Sequence, residues 1–98
     1  MDKTMEMQLL LAKIPRGKVT TYKEIARKLK VHPRHAGRLL GRNPDGKAYP
    51  CYRVVRSDGH LGGYTSRFGV ADKIRKLRKD GIEVKNNKIG LRKHLFKL

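Results

Sequence analysis

Tryptophan is absent from this chain of 98 residues, phenylalanine occurs twice, cysteine once, and Asp and Glu number 8 against 25 Lys and Arg. Each scarcity excludes something. A single thiol, Cys51, cannot make an internal disulfide, and one Cys with four scattered His residues offers no metal-ligand spacing. The unpaired thiol fits a reducing cytosol. The shortage of acids excludes an ion-pair network as the reason for the basic residues, because such networks need both signs. No apolar run approaches the roughly 18 residues that span a bilayer. Met1-Asp2-Lys3 leads into an amphipathic segment rather than a signal peptide.

What is present is positive charge. A formal net charge of +17 implies a polyanionic partner, nucleic acid before membrane. The length suits one small domain with a modest core, with no repeat, linker or low-complexity tract. Met5, Met7, Leu9, Leu10, Leu11 and Ile14 form one apolar helical face that Pro15-Arg16-Gly17 ends. Thr21 with Glu24 reads as a capping box opening a helix that turns Ile25, Ala26 and Leu29 inward. After Val31-His32, Pro33 suits the first turn of a second helix that runs to about Gly41, with Ala36, Leu39 and Leu40 inward. Two short helices joined by a brief turn predict a helix-turn-helix. The outer face of the second carries Arg34, Arg38 and Arg42 at fourfold spacing, and Gly37 leaves bare backbone between them. With the net charge, that face reads as a DNA contact.

After the turn at Asn43-Pro44-Asp45-Gly46, Tyr52 to Arg56 alternates weakly and Ser57-Asp58-Gly59 reverses the chain, predicting a small hairpin or wing. Gly62-Gly63-Tyr64 reads as a flexible loop. Val70, Ile74 and Leu77 mark a basic helix stopped by Asp80-Gly81. Ile82 to Leu91, with Asn86-Asn87 at its centre, predicts a second short hairpin, and the basic tail from about 92 to 98 is expected to fray. The fold class is therefore mainly α with small β hairpins, a winged helix-turn-helix-like single domain. Cys51, beside Pro50 in a strand-like run, is either packing or a nucleophile. Arg53 and nearby helix termini favour its thiolate. His32 and His35 belong to the helix-turn-helix, His60 to a turn and His94 to the tail.

Ile14-Pro15-Arg16-Gly17-Lys18-Val19-Thr20-Thr21-Tyr22, Arg42-Asn43-Pro44, Pro50-Cys51-Tyr52-Arg53-Val54-Val55 and Gly62-Gly63-Tyr64, in that order, resemble the O6-alkylguanine-DNA alkyltransferase family over roughly Met5 to Leu91. The resemblance covers the DNA-binding, cysteine-bearing domain, without the family's variable N-terminal domain. It implies a repair protein that flips O6-alkylguanine from duplex DNA and moves the alkyl group irreversibly to Cys51, with no cofactor. It also implies a role for Arg34 in filling the gap left by the base and for Tyr22 beside the flipped guanine and its phosphate. By the same likeness Asn43 braces the helix-turn-helix, and the carbonyls of Cys51 and Val54 accept from the guanine amine. Tyr64 and Thr65 lie in the loop that closes over the base. Gly37, Arg38 and Arg53 complete the expected DNA- and base-binding set, and Ala36 and Gly37 suit a helix laid in the minor groove.

One departure bears on mechanism. The family has Pro-Cys-His-Arg-Val, its histidine reaching the cysteine through water and held by a glutamate. Tyr52 stands at the histidine position here, and Asp80 best matches the glutamate. A phenol with a pKa near 10 is a poor base at neutral pH, so Cys51, Tyr52 and Asp80 form an altered catalytic set. Two alternatives follow. Alkyltransferase-like proteins bind alkylated guanine without transfer and recruit nucleotide excision repair; a plain winged-helix regulator reads sequence in the major groove. The expected setting is a cytoplasmic, nucleoid-associated monomer. A repair partner or a separate domain remains open.

Overall fold

The structure, a computed structural model, describes residues 3–42, 49–62 and 69–98. Asn43, Tyr64 and Thr65 lie outside the described residues. Among the described residues, five helices, one two-stranded sheet and a 3-10 turn follow in order: α1 (Lys3–Ala12), β1 (Thr20–Thr21), α2 (Tyr22–Leu29), α3 (Pro33–Gly41), the 3-10 turn (Cys51–Arg53), β2 (Val54–Val55), α4 (Val70–Lys79) and α5 (Leu91–His94).

The helix signals in the sequence are realised in atoms. Thr21 caps α2 by accepting the Glu24 N–H at 3.1 Å. The reciprocal half of the capping box is replaced: the Glu24 carboxylate accepts from Arg27 Nε and from the Leu98 N–H. Lys30, at φ 58°, ends α2 in the left-handed conformation. His32 Nδ1 accepts the Arg34 N–H at 3.1 Å and Pro33 supplies the first turn of α3. Asp80-Gly81 ends α4 with two backbone bonds, Gly81 N–H to Arg78 and Ile82 N–H to Leu77, made possible by φ +88° at Gly81.

The sheet is not the first hairpin expected. β2 pairs in parallel with β1, Thr20 opposite Val54 and Thr21 opposite Val55. The turn at Ser57-Asp58-Gly59 does close, with the Arg56 N–H on the His60 carbonyl at 2.8 Å. The returning arm, however, pairs with the later segment, through Leu61 N–H to Asn87 and Ile89 N–H to Gly59. That later segment is a tight hairpin: Lys85 and Lys88 exchange both backbone bonds across Asn86 and Asn87, at φ 54° and 57°. The tail is not frayed. Val19 donates to His94 and accepts from Phe96, and Phe96 and Leu98 pack on the core. Apolar side chains and the strand edge beside Val19 hold it there despite its charge. On α1, Met7 and Leu11 are buried while Met5 and Leu9 are exposed, because a stripe of that spacing is wider than the face α1 can bury.

The core has two lobes. The first gathers Met7, Leu11 and Ile14 with Ile25, Leu29, Ala36, Leu39, Leu40 and Val54. The second gathers Val19, Val55, Leu61, Leu77, Ile82, Val84 and Ile89. Successive strand residues point to opposite faces, so Val54 enters one lobe and Val55 the other. Cys51 packs on the first lobe and Tyr52 on the second. The cysteine turn therefore sits on the seam.

Candidate active site and DNA-facing surface

The helix-turn-helix presents its cations outward. Arg34, Arg38 and Arg42 are exposed, while Ala36, Leu39 and Leu40 on the opposite face are buried. At Gly37 an added Cβ would meet nothing within 4 Å. Nothing inside the protein requires glycine there. The bare backbone faces open space.

Cys51 opens the 3-10 turn, half-buried, its N–H on the Tyr49 carbonyl at 2.8 Å. Its own carbonyl accepts the Val54 N–H. The Val54 carbonyl accepts from Lys73 Nζ at 2.7 Å. Each carbonyl keeps a second lone pair, so neither is closed to a base amine.

Tyr52 and Asp80 meet, as the sequence reading paired them. The Tyr52 hydroxyl donates to Asp80 Oδ2 at 2.7 Å. Burial first, then the Asp80 carboxylate that accepts its proton, push the Tyr52 phenol above its ordinary value. Tyr52 is thus a donor held in its neutral form, and proton abstraction from Cys51 is the opposite of what this contact favours. Arg53 turns inward: Nε donates to the same Asp80 oxygen at 3.0 Å and Nη1 to the Ile14 carbonyl at 2.8 Å. The Arg53 side chain is 15 % exposed and that of Asp80 8 %. Its observed partners are internal and brace the cysteine turn against the end of α1 and the end of α4, where the sequence reading placed it on DNA.

Tyr22 begins α2 and packs on the first lobe. Burial first, then the Cys51 charge, push its phenol up, with Arg56 opposing. Gly62 lies against it at φ +72°, where a Cβ would come 2.9 Å from the Tyr22 hydroxyl, so only glycine serves.

Sequence reasoning missed Lys73. It is fully buried on α4 between the lobes, donating to the Val54 and Leu61 carbonyls and to the Tyr22 hydroxyl at 3.3 Å. Burial lowers its pKa to about 8, and the Cys51 charge acts the other way. The signal was available: Lys73 falls three residues after Val70, on the Val70, Ile74, Leu77 stripe, where an apolar residue belongs. Away from this site, a cleft of about 410 Å³ walled by Lys85, Lys88 and Lys93 shares no residue with it. Among the described residues no group of three His, Cys, Asp or Glu could hold a metal, and no helix is long and apolar enough to cross a membrane.

Comparison with known proteins gives the family and the fold. Residues 4–82 match the family described as 6-O-methylguanine DNA methyltransferase, DNA binding domain. The chain is 47% identical over 89 residues to a bifunctional methyltransferase/endonuclease of Picrophilus torridus, covering 89% of this chain and 29% of that protein. It is 49% identical over 73 residues to a methylated-DNA–protein-cysteine methyltransferase of Pyrobaculum aerophilum, covering 74% and 49%. It spans about half or less of the length of these curated relatives. The fold superposes on S. pombe Atl1, solved in complex with damaged DNA containing O6-carboxymethylguanine, with a TM-score of 0.85 at 24% identity over 98% of this chain and 95% of that one.

Proposed function

Because the chain belongs to the family of the 6-O-methylguanine DNA methyltransferase DNA-binding domain, we propose that it repairs duplex DNA by drawing O6-alkylguanine out of the helix and taking the alkyl group onto Cys51. The carrying observation is the setting of Cys51: a half-buried thiol on the seam that packs, as Tyr22 does, on the first core lobe. In the transfer the Cys51 sulfur bonds to the alkyl carbon, the bond from that carbon to guanine O6 breaks, and the guanine is restored. The thioether has no route back, so one molecule acts once. Arg34 enters the gap left by the base, Arg38 and Arg42 contact phosphate, and Gly37 lets the groove approach α3 closely. From the family resemblance, Asn43 braces the helix-turn-helix and Tyr64 and Thr65 close over the base.

The test is the intact mass of the protein after incubation with a duplex containing O6-methylguanine. A gain of one methyl group, absent in Cys51→Ala, is expected. Damage-selective binding without a mass change would instead make the protein a sensor that hands lesions to excision repair. The Tyr52–Asp80 hydrogen bond is the observation favouring that second reading, since it removes the relay that the family histidine supplies. Arg34→Ala should weaken discrimination for alkylated DNA more than total binding. An equal loss on both duplexes would reduce Arg34 to a phosphate contact.

A further inference from the structure

The arginines of α3 carry only part of the positive charge. From Lys85 to Lys97 the chain has five Lys and Arg and no acid. We propose that the cleft walled by Lys85, Lys88 and Lys93 is a second phosphate site, which takes the sugar-phosphate backbone of nucleic acid away from the outer face of α3. Its lining residues from Glu83 to His94 lie past residue 82, where the family match ends.

The lysines stand on a fixed frame. Asn86 and Asn87 turn the chain so tightly that Lys85 and Lys88 exchange both backbone bonds and lie directly opposite one another. Directly opposed residues project from the same face of a hairpin, and like charges placed so repel. Val84 and Ile89, on either side, are buried in the second lobe, and Arg78 Nη2 donates to the Val84 carbonyl at 3.0 Å. The other wall is pinned as well. Lys18 Nζ donates to the Lys93 carbonyl at 3.2 Å. His94 Nδ1 donates to the Gly17 carbonyl at 3.1 Å, which leaves the ring Nε2 for another partner. Among the described residues none of the three ammonium groups is in an ion pair, although Glu83 lines the same cleft. The repulsion between Lys85 and Lys88 therefore has no internal counter-charge.

The lining selects the class of ligand. It holds no aromatic and no apolar side chain, so it offers neither a platform for a base nor a pocket for an apolar peptide anchor. Gly90 adds bare backbone, where a Cβ would meet nothing within 4 Å. Lysine ammonium groups are compact point charges that meet phosphate oxygens in many orientations. A phosphodiester strand presents such oxygens at regular intervals, and contact with them carries no sequence information. α3 packs on the first lobe and this cleft is framed on the second, so each can hold its own stretch of backbone. Alkyl transfer plays no part in this site, which needs DNA binding alone.

Salt dependence of binding to a short undamaged duplex, read by fluorescence anisotropy, counts the phosphates engaged. Lys85→Gln/Lys88→Gln, at two exposed positions, should lower the slope of log affinity against log salt by about 2. Lys13→Gln/Lys79→Gln removes the same charge from exposed positions outside the cleft and should change that slope by less than about 0.5. Glu83→Gln should tighten binding about threefold, because it takes a repelling carboxylate out of the wall. Energy transfer between donor- and acceptor-labelled copies of the duplex identifies the source of the phosphates. Transfer that is lost in Lys85→Gln/Lys88→Gln assigns them to a second duplex. A lowered slope without energy transfer assigns them to the flank of the duplex already on α3. The phosphate site is overturned if Lys85→Gln/Lys88→Gln keeps the wild-type slope, if Lys13→Gln/Lys79→Gln loses as much, or if Glu83→Gln binds no tighter than wild type. Undamaged DNA makes the result independent of Cys51, so absence of methyl transfer would sink the repair reading alone.

Discussion

The outer face of α3 and the interior beside β2 are both built around cations, and they hold them in opposite ways. Arg34, Arg38 and Arg42 stand in water, where a charge costs little and acts over a Debye length on any polyanion that approaches. Lys73 is fully buried, and the Val54 and Leu61 carbonyls and the Tyr22 hydroxyl fix its position. The exposed set can attract and orient a duplex while tolerating small errors of geometry. The buried cation is held by two backbone carbonyls and reaches one phenol, at 3.3 Å.

That contrast can be broken at four points. The largest effect expected is the pH dependence of stability. An unfolded lysine titrates near 10.5 and Lys73 at about 8 in the folded chain. Between those values the unfolded chain binds the extra proton, so stability rises with pH, by about 3 kcal/mol over the full window. Tyr22 and Tyr52, both raised, act in the other direction above their usual value near 10. The gain is therefore read between pH 8 and 10, by urea unfolding of wild type against Lys73→Met. A wild-type curve as flat as the variant's would show that Lys73 is not a buried charge.

Next comes Gly62→Ala. It demands a positive φ from a residue with a side chain and drives a Cβ to 2.9 Å from the Tyr22 hydroxyl. A loss of about 1–3 kcal/mol is expected in the same unfolding assay. A loss below about 0.5 kcal/mol would mean that the segment shifts and Tyr22 is less fixed than it looks.

Gly37→Ala should behave in the reverse sense. With open space around the new methyl group, the helix gains about 0.5–1 kcal/mol, visible as a higher Tm. Affinity for duplex DNA, measured by fluorescence anisotropy, should fall by about 1 kcal/mol if the backbone sits against the groove. Unchanged affinity would leave only the arginines in contact. The smallest effect expected is at Thr20, whose buried Oγ1 has no hydrogen-bond partner among the described residues. Thr20→Val should stabilise by up to about 1 kcal/mol without touching either cationic region. A destabilised Thr20→Val would reveal a partner for the hydroxyl, a bound water for instance.

Much of the helix-turn-helix was legible because its signals are local. Thr21 as a cap, Pro33 at a first turn and inward apolar residues at helical spacing each depend on neighbours within one or two turns. The pairing of Tyr52 with Asp80 was legible through family resemblance, and the structure supplies its direction: the phenol donates. The first hairpin was misjudged because β2 finds its partner some thirty residues upstream, in parallel, a pairing that no local alternation encodes. The tail was misjudged because its charge suggested solvent, while Phe96, Leu98 and two backbone bonds to Val19 hold it on the core.

The amino-acid sequence by itself determined the strong positive charge, the helix-turn-helix and the single thiol, since net charge, periodicity and residue count need no third dimension. Tertiary structure alone decided what surrounds that thiol. Cys51, Tyr22 and Lys73 come from three separate elements, and the parallel β1–β2 pair sets them on the seam between two core lobes. Burial there turns a surface-type lysine into a cation with a pKa of about 8, because desolvation acts on a group only once the fold has removed its water.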